Sequence, residues 1–267
     1  MNVTQLYHAA RARSRTTLGL LRSLVIYRHP FRQRSLRYLY RSFVQPGDVV
    51  FDIGAHLGDR TRAFASLGAQ VVAFEPQPHL RAWLERLEGS NSRVTIRGEA
   101  VGAEAGAAQL SISQATPTVS TMATVWRQGI GAANETFRNV RWEEQITVPV
   151  VTLDAMIAAH GLPAFCKIDV EGFELDVLQG LSQPLPALSV EFVAGSLDGS
   201  KACIEHLEGL RKSDTVPAAP DYEYNVILGE GRELLFSHWI DASKLIQWLD
   251  NGAGNASSGD IYVRQCQ

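Results

Sequence analysis

The stretch Val50-Phe51-Asp52-Ile53-Gly54-Ala55-His56-Leu57-Gly58 decides how the rest of this chain is read. An apolar run over residues 49–53 ends beside an acid and breaks into a turn with glycines at 54 and 58. Residues 60–67 follow with a helical pattern that closes at Gly68. Strand, glycine turn and helix in that order open an α/β sheet, and ligands of such sheets sit outside the carboxyl ends of the strands. The turn is not the dinucleotide fingerprint, because His56 stands where the second glycine would lie against a pyrophosphate. Asp52 puts a carboxylate at the strand tip, which repels phosphate and attracts a cation such as an ammonium group. No Gly-Lys-Ser/Thr follows, so a P-loop is excluded.

Working outward, residues 71–74 predict a second strand that ends at Glu75. An acid about 20 residues past the glycine turn can accept both hydroxyls of a ribose. The two acids together ask for a ligand with a ribose, a cationic amino-acid end and no phosphate. S-adenosylmethionine meets that demand; NAD, FAD and ATP do not.

Alternation continues to the C-terminus. Leu80, Trp83, Leu84 and Leu87 mark a helix, residues 94–96 and 107–112 strands, and Thr152 caps a short helix over 153–159 that stops at Gly161. Residues 165–168 and 188–192 are two further buried strands, separated by a helix bearing Leu175, Leu178 and Leu181. Residues 225–228 and 233–236 read as a hairpin across Gly229-Glu230-Gly231; a last helix (Leu245, Ile246, Leu249) precedes a strand at 261–263. Continuous apolar strands between amphipathic helices predict an α/β fold with a mostly parallel sheet covered on both faces and an antiparallel edge hairpin. Residues 113–146 carry no period and read as a long irregular insert, a lid or binding loop.

At 267 residues and 45% hydrophobic composition, the chain is long enough to fold without a metal or disulfide staple. Cys166, Cys203 and Cys266 contain no CxxC pair, which excludes a zinc ribbon and fits a reducing compartment. The most apolar early run, residues 18–27, is broken by Arg22, too short to span a membrane and lacks a signal-peptide cleavage pattern, so a soluble, cytoplasmic protein is expected. Charge is unevenly spread. Residues 1–46 hold nine arginines and no acid, so the net charge of −3 leaves the remainder at −12. Such an arm can meet nucleic acid or an anionic membrane surface. The plainer reading is a helical extension that packs on the body through Leu36, Leu39, Tyr40 and Phe43.

A third landmark is Cys166-Lys167-Ile168-Asp169-Val170-Glu171-Gly172-Phe173-Glu174 at the end of an inner strand. Lys167 and Asp169 share a strand face and can pair. Glu171 and Glu174 suit a helix start, where the dipole favours acids. The three segments together resemble the FkbM family of S-adenosylmethionine-dependent methyltransferases, over most of residues 46–193 and including Thr152-Leu153-Asp154. The Lys-Ile-Asp-Val-Glu-Gly block is the most specific of these; many relatives carry Asn at the position of His56.

The resemblance implies a Rossmann-like, seven-stranded class I methyltransferase domain over 47–267, preceded by the basic helical extension 1–46. By that analogy Asp52, His56 and the amides of Gly54 and Gly58 face the methionine end of the cofactor, Glu75 the ribose, and Glu99, Ala100 and Val101 the adenine, with Ser120 and Thr121 as further neighbours. It also implies O-methylation of a sugar, glycolipid or small secondary metabolite. Asp169, Glu171 and Lys167 are the expected catalytic residues, with Glu191, His56 and His238 as other candidate bases. Metal-free catalysis is expected, the alternative being a divalent ion on Asp169 and Glu191. Trp126, Trp142 and Trp239 read as core or as a sugar-stacking wall. Nucleic acid is not an expected partner; peripheral membrane-surface contact through the arm stays open beside the reading in which the arm only packs on the body. The competing readings are an RNA methyltransferase gripping phosphates with the arm, and a non-catalytic methyltransferase-like binding protein.

Overall fold

The computed structural model describes residues 29–113, 120–122, 144–212 and 220–266. In chain order the elements are α1 (Pro30–Tyr40), β1 (Val49–Ile53), α2 (Asp59–Ser66), β2 (Gln70–Phe74), α3 (Pro78–Glu88), β3 (Val94–Arg97), β4 (Ala100–Val101) and β5 (Gly106–Ile112). They continue with β6 (Ser120–Thr121), β7 (Glu144–Val151), α4 (Leu153–His160), β8 (Phe165–Ile168), α5 (Glu174–Gln179) and β9 (Ala187–Val193). The last are α6 (Leu197–Arg211), β10 (Tyr222–Leu228), α7 (Ala242–Asp250) and β11 (Ser258–Gln265).

Seven strands form the main sheet in the order β10-β11-β9-β8-β1-β2-β3. β1 is parallel to both β2 and β8, and β11 runs antiparallel to both β9 and β10. The chain steps outward from β1 to β3 and then returns to β8 on the other side of β1. The tips of β1 and β8 therefore flank the switch point, where open α/β sheets hold their ligands. Register places Asp52 beside Lys167 across that seam and Asp52 beside Ala73 on the other side.

Alternate residues of the central strands enter different cores, as a sheet covered on both faces requires. Phe51, Ile53, Cys166 and Ile168 pack with α5 and α6 through Val177, Leu178, Ile204 and Leu207. Val50 and Phe165 pack on the opposite face with Phe64 of α2 and with Leu36, Leu39 and Tyr40 of α1. The apolar stripe of the basic segment thus seats α1 on the body. Residues 1–28 of that segment lie outside the described residues. Among the described residues, no helix is long and apolar enough to cross a membrane.

Two expectations change. Residues 233–236 form no strand, and β10 takes β11 as its antiparallel partner, with Val226 opposite Ile261. The segment after β10 is held as a loop: Asn225 Nδ2 donates to Phe236 O (2.9 Å), and Phe236 N donates to Asn225 Oδ1 (3.0 Å). The antiparallel edge therefore comes from strands separated by α7. The insert is also partly regular. β7 pairs along β5 and joins β4 and β6 in a second, four-stranded sheet, with Ala100, Leu110, Ile112, Val148 and Val150 as its small core. Trp126 and Trp142 lie outside the described residues. Trp239 packs near Phe43 and under Arg264, so its role is structural.

Candidate active site

The turn after β1 is shaped by the close approach of β8. Gly54 adopts φ +80°, and a Cβ there would come within 1.9 Å of the Asp169 carbonyl oxygen. Its N–H, expected to face a ligand, donates to Phe74 O (3.0 Å), as does that of Ala55 (2.9 Å). Gly58 departs further from expectation. Its N–H donates to Ala55 O (2.8 Å), its φ is +78°, and a Cβ would meet Leu84 of α3 at 2.6 Å. The two glycines are thus required by tight backbone packing, and neither amide is offered to the cavity.

That cavity, about 230 Å³, opens at the switch point. On one side it is lined by Glu75, Glu99, Ala100 and Val101, at its centre by Asp52, Gly54 and His56, and on the far side by Lys167, Asp169, Glu171 and Glu191. Leu110 of the second sheet and Met122, just past β6, close the apolar flank, whereas Thr121 is buried and is not on the wall. His238 is exposed and lies away from the cavity.

Asp52 is 1% exposed. Its Oδ2 accepts from Thr61 Oγ1 (2.5 Å), and its Oδ1 is buried without a partner. Burial pushes its carboxyl upward, against the pull of Lys167. Glu75 accepts from His56 N (Oε2, 2.9 Å) and Gln77 N (Oε1, 2.9 Å). Burial nevertheless pushes its carboxyl up to about 7. His56 sits in the left-handed region (φ 51°), and burial pulls its imidazole down to about 4, so it is neutral at physiological pH. Glu99 is tied to Arg97 through a side-chain pair at 2.5 Å.

On the far side, Lys167 Nζ meets Asp169 Oδ2 at 2.6 Å. Burial opposes ionisation of Asp169, but Lys167 and Arg60 outweigh it and hold the carboxyl below its usual range. Glu171 and Glu191 are driven the other way. Burial, reinforced by the neighbouring Asp169, pushes both well above the usual carboxylate range. Carboxylate oxygens of the three residues lie within 4.8 Å of one another, and Glu171 Oε2 and Glu191 Oε2 are buried without partners. Glu174 does what a helix-start acid does, accepting from Val170 N (3.1 Å) and Gly172 N (3.2 Å).

Sequence reasoning missed three charged residues of the cavity wall, Asp59, Arg60 and Glu230. Arg60 reads as the first turn of a helix and Glu230 as the middle of a Gly-Glu-Gly turn. Arg60 reaches the cavity directly from the β1 turn, whereas Glu230 reaches it only because β10 joins the sheet through β11.

The strand order β3-β2-β1-β8-β9-β11-β10 with β11 reversed, and an acid-tipped glycine turn at the switch point, define the class I methyltransferase architecture, whose methyl donor is S-adenosylmethionine. The chain belongs to the methyltransferase FkbM domain family, whose profile matches residues 52–196. It is 32% identical over 183 residues to the 31-O-demethyl-FK506 methyltransferase FkbM of Streptomyces tacrolimicus, a match covering 58% of this chain and 67% of that one. It is 29% identical over 150 residues to the hexuronic acid methyltransferase AglP of Haloferax volcanii, covering 55% and 54%. The match therefore spans about half the length of AglP. A TehB-like S-adenosylmethionine-dependent methyltransferase from Corynebacterium glutamicum is similar in structure, at 9% identity and TM-score 0.48, covering 97% of this chain and all of that one (100%).

Proposed function

We propose that the protein transfers a methyl group from S-adenosylmethionine to a hydroxyl of a saccharide, glycolipid head group or small secondary metabolite. The observation that carries this reading is that Asp52 and Glu75, at the tips of neighbouring parallel strands, line one cavity from opposite sides of a glycine turn. The residues present fit the donor. The unpartnered Asp52 Oδ1 suits an ammonium group, Glu75 can accept from a ribose diol once ionised, and Ala100, Val101, Leu110 and Met122 offer an apolar slot for a purine. The bound cofactor supplies an activated methyl group on a cationic sulfur.

The chain's own task is then alignment and proton acceptance. Holding an acceptor oxygen in line can be worth ~7–11 kcal/mol. Asp169 is the ionised acid of the far wall and is assigned as the proton acceptor, with Lys167 fixing its position and charge state. Its low basicity suffices, because the hydroxyl proton becomes strongly acidic as its oxygen forms a third bond, to the methyl carbon, and takes on positive charge; Asp169 accepts that proton as the methyl–sulfur bond breaks. Protonated Glu171 and Glu191 can donate hydrogen bonds to neighbouring acceptor oxygens and so orient a polyol. FkbM, a methyltransferase of 31-O-demethyl-FK506, supports an oxygen acceptor, and AglP, a methyltransferase of hexuronic acid, supports a saccharide as one class of acceptor. Free thiols at Cys166, Cys203 and the exposed Cys266 support a cytoplasmic location.

Calorimetric titration with S-adenosylhomocysteine tests the cofactor half. Asp52→Ala and Glu75→Ala should each weaken binding at least about tenfold, the loss of one charged hydrogen-bonding partner. Wild-type affinity in both variants would overturn the assignment. Transfer of labelled methyl groups to uronic acids, macrolides and RNA tests the acceptor, and incorporation into RNA alone would overturn the hydroxyl-metabolite reading.

A further inference from the structure

The outer face of α1 carries a surface that the proposed reaction does not use. Phe31, Arg34, Tyr38 and Arg41 are exposed and fall at i, i+3, i+7 and i+10, one straight stripe about 15 Å long at 1.5 Å per residue. Phe31 is 76% exposed and Tyr38 66%, the two most exposed large apolar side chains among the described residues. The Arg41 guanidinium lies 3.9 Å from the Tyr38 ring centroid, and His29 stacks on Phe31 at 5.5 Å. The stripe is rigidly presented, because the opposite side of the same helix (Leu36, Leu39, Tyr40) is built into the core.

We propose that this stripe docks the protein on an anionic lipid bilayer, the two aromatic rings entering the interface and the arginines meeting lipid phosphates. Charge selects that partner. Residues 1–46 hold nine arginines and no acid. Arginines near an anionic leaflet are each favourable, and aromatic side chains settle at head-group depth. The sequence just before the helix is in keeping with this: residues 18–27 are mostly apolar and contain one charged residue, Arg22. A second copy of the chain fits worse, since a symmetric contact would set arginine against arginine. A nucleic acid fits worse too, because the remainder of the chain, at −12, repels a polyanion running past it. A plane touching only the helix face avoids that repulsion.

The placement also has a consequence for the cavity. Arg32, on the same helix, donates from Nε to Asp59 Oδ2 (2.6 Å) and from Nη2 to Glu230 Oε2 (2.9 Å), and both acids line the cavity. A docked α1 would thus hold the cavity rim near the membrane, where an acceptor anchored in lipid would be within reach.

The test is co-sedimentation of the full chain with phosphatidylcholine vesicles, with and without phosphatidylglycerol. Partition should be at least about tenfold stronger with the anionic lipid and should fall with salt. The fourfold variant Phe31→Ser, Arg34→Glu, Tyr38→Ser and Arg41→Glu should lose about tenfold of that partition. It should keep wild-type thermal unfolding and S-adenosylhomocysteine affinity, since all four side chains point away from the core. No partition onto anionic vesicles at low salt, wild-type partition by the variant, or displacement from the vesicles by a short RNA would each overturn the proposal. None of these results depends on the methyl-transfer reading, which fails or stands by the cofactor titration.

Discussion

Lys167 and Asp169 form a 2.6 Å ion pair at the tip of β8, with the lysine side chain 1% exposed and the aspartate side chain 29% exposed. One partner is in the protein interior and the other faces the cavity. The pair is therefore both a structural commitment and a chemical setting: the lysine cannot be removed without stranding the acid, and the acid is ionised because the lysine is there.

Removing only the lysine should be costly. Breaking a buried pair by deleting one partner typically costs about 3–5 kcal/mol, whereas replacing both charges is often close to neutral. Lys167→Met should lower unfolding stability by about 3 kcal/mol, the low end because Asp169 is partly exposed. Lys167→Met with Asp169→Asn should recover most of that loss in urea denaturation yet show no methyl transfer. Recovery of activity in the double variant would remove Asp169 from the reaction.

The glycines of the β1 turn differ in what opposes a side chain. At Gly54 the obstacle is a backbone carbonyl, Asp169 O, on a neighbouring strand; at Gly58 it is Leu84 Cδ1, the end of a side chain that can rotate. Both positions have positive φ, which costs alanine roughly 1 kcal/mol. Gly54→Ala should add an overpacking penalty of about 1–3 kcal/mol that Gly58→Ala largely escapes. Denaturation midpoints of the two variants compare these directly, and equal losses would contradict the geometry.

Much of this was legible in the sequence because it is local. Val49–Ile53 and Phe165–Ile168 are short, mostly apolar runs buried on both faces, and their continuity between helical segments carries their assignment. The Asp52, Glu75 and Asp169 positions follow once those strands are drawn, since an acid at a strand's carboxyl end can only be at the rim. What was not legible is non-local. β7 contains Pro149 and alternates exposed with buried positions, so it has neither a continuous apolar run nor an uninterrupted ladder of donors. The hairpin expected across Gly229-Glu230-Gly231 has the local turn signal, but β10 pairs instead with a strand some thirty residues later. The same distance hides Arg60, whose neighbours in the cavity, Asp169 and Glu230, come from the ends of other elements.

Arg32 links that hidden wall to α1. Its two acid partners, Asp59 (side chain 7% exposed) and Glu230 (65% exposed), belong to a helix start and to the loop after β10. The contact with Asp59 is the one sheltered from water, so it should supply most of the stability. Arg32→Ala should cost about 1–3 kcal/mol, the range for charge-assisted hydrogen bonds, whereas Glu230→Ala should cost under about 1 kcal/mol. Hydrogen exchange in the loop after β10 should speed up in both variants. Equal stability losses would show that the exposed contact matters as much as the sheltered one.

Glu75 gives the pH dependence. Its unfolded value lies near 4.3, while burial, against the pull of two amide donors, sets it at about 7 in the folded chain. The folded state thus binds this proton more tightly than the unfolded state. The contribution to stability is fully present below about pH 4 and is lost as the pH rises through 7, a change of about 4 kcal/mol at 1.36 kcal/mol per unit. Glu174, also pushed to about 7 by burial, titrates in the same window, so Glu75→Gln should remove part of the slope and leave a remainder. Cofactor binding should move the opposite way. A ribose diol needs acceptors, which the ionised carboxylate provides, so the dissociation constant for S-adenosylhomocysteine should fall as the pH rises toward 7 and then level. Glu75→Gln should bind more weakly and with a flatter profile. Titrations in buffers of different ionisation enthalpy should register proton release on binding to the wild type below pH 7 and less of it in the variant. A wild-type dissociation constant independent of pH from 5 to 8 would place the ribose contact elsewhere.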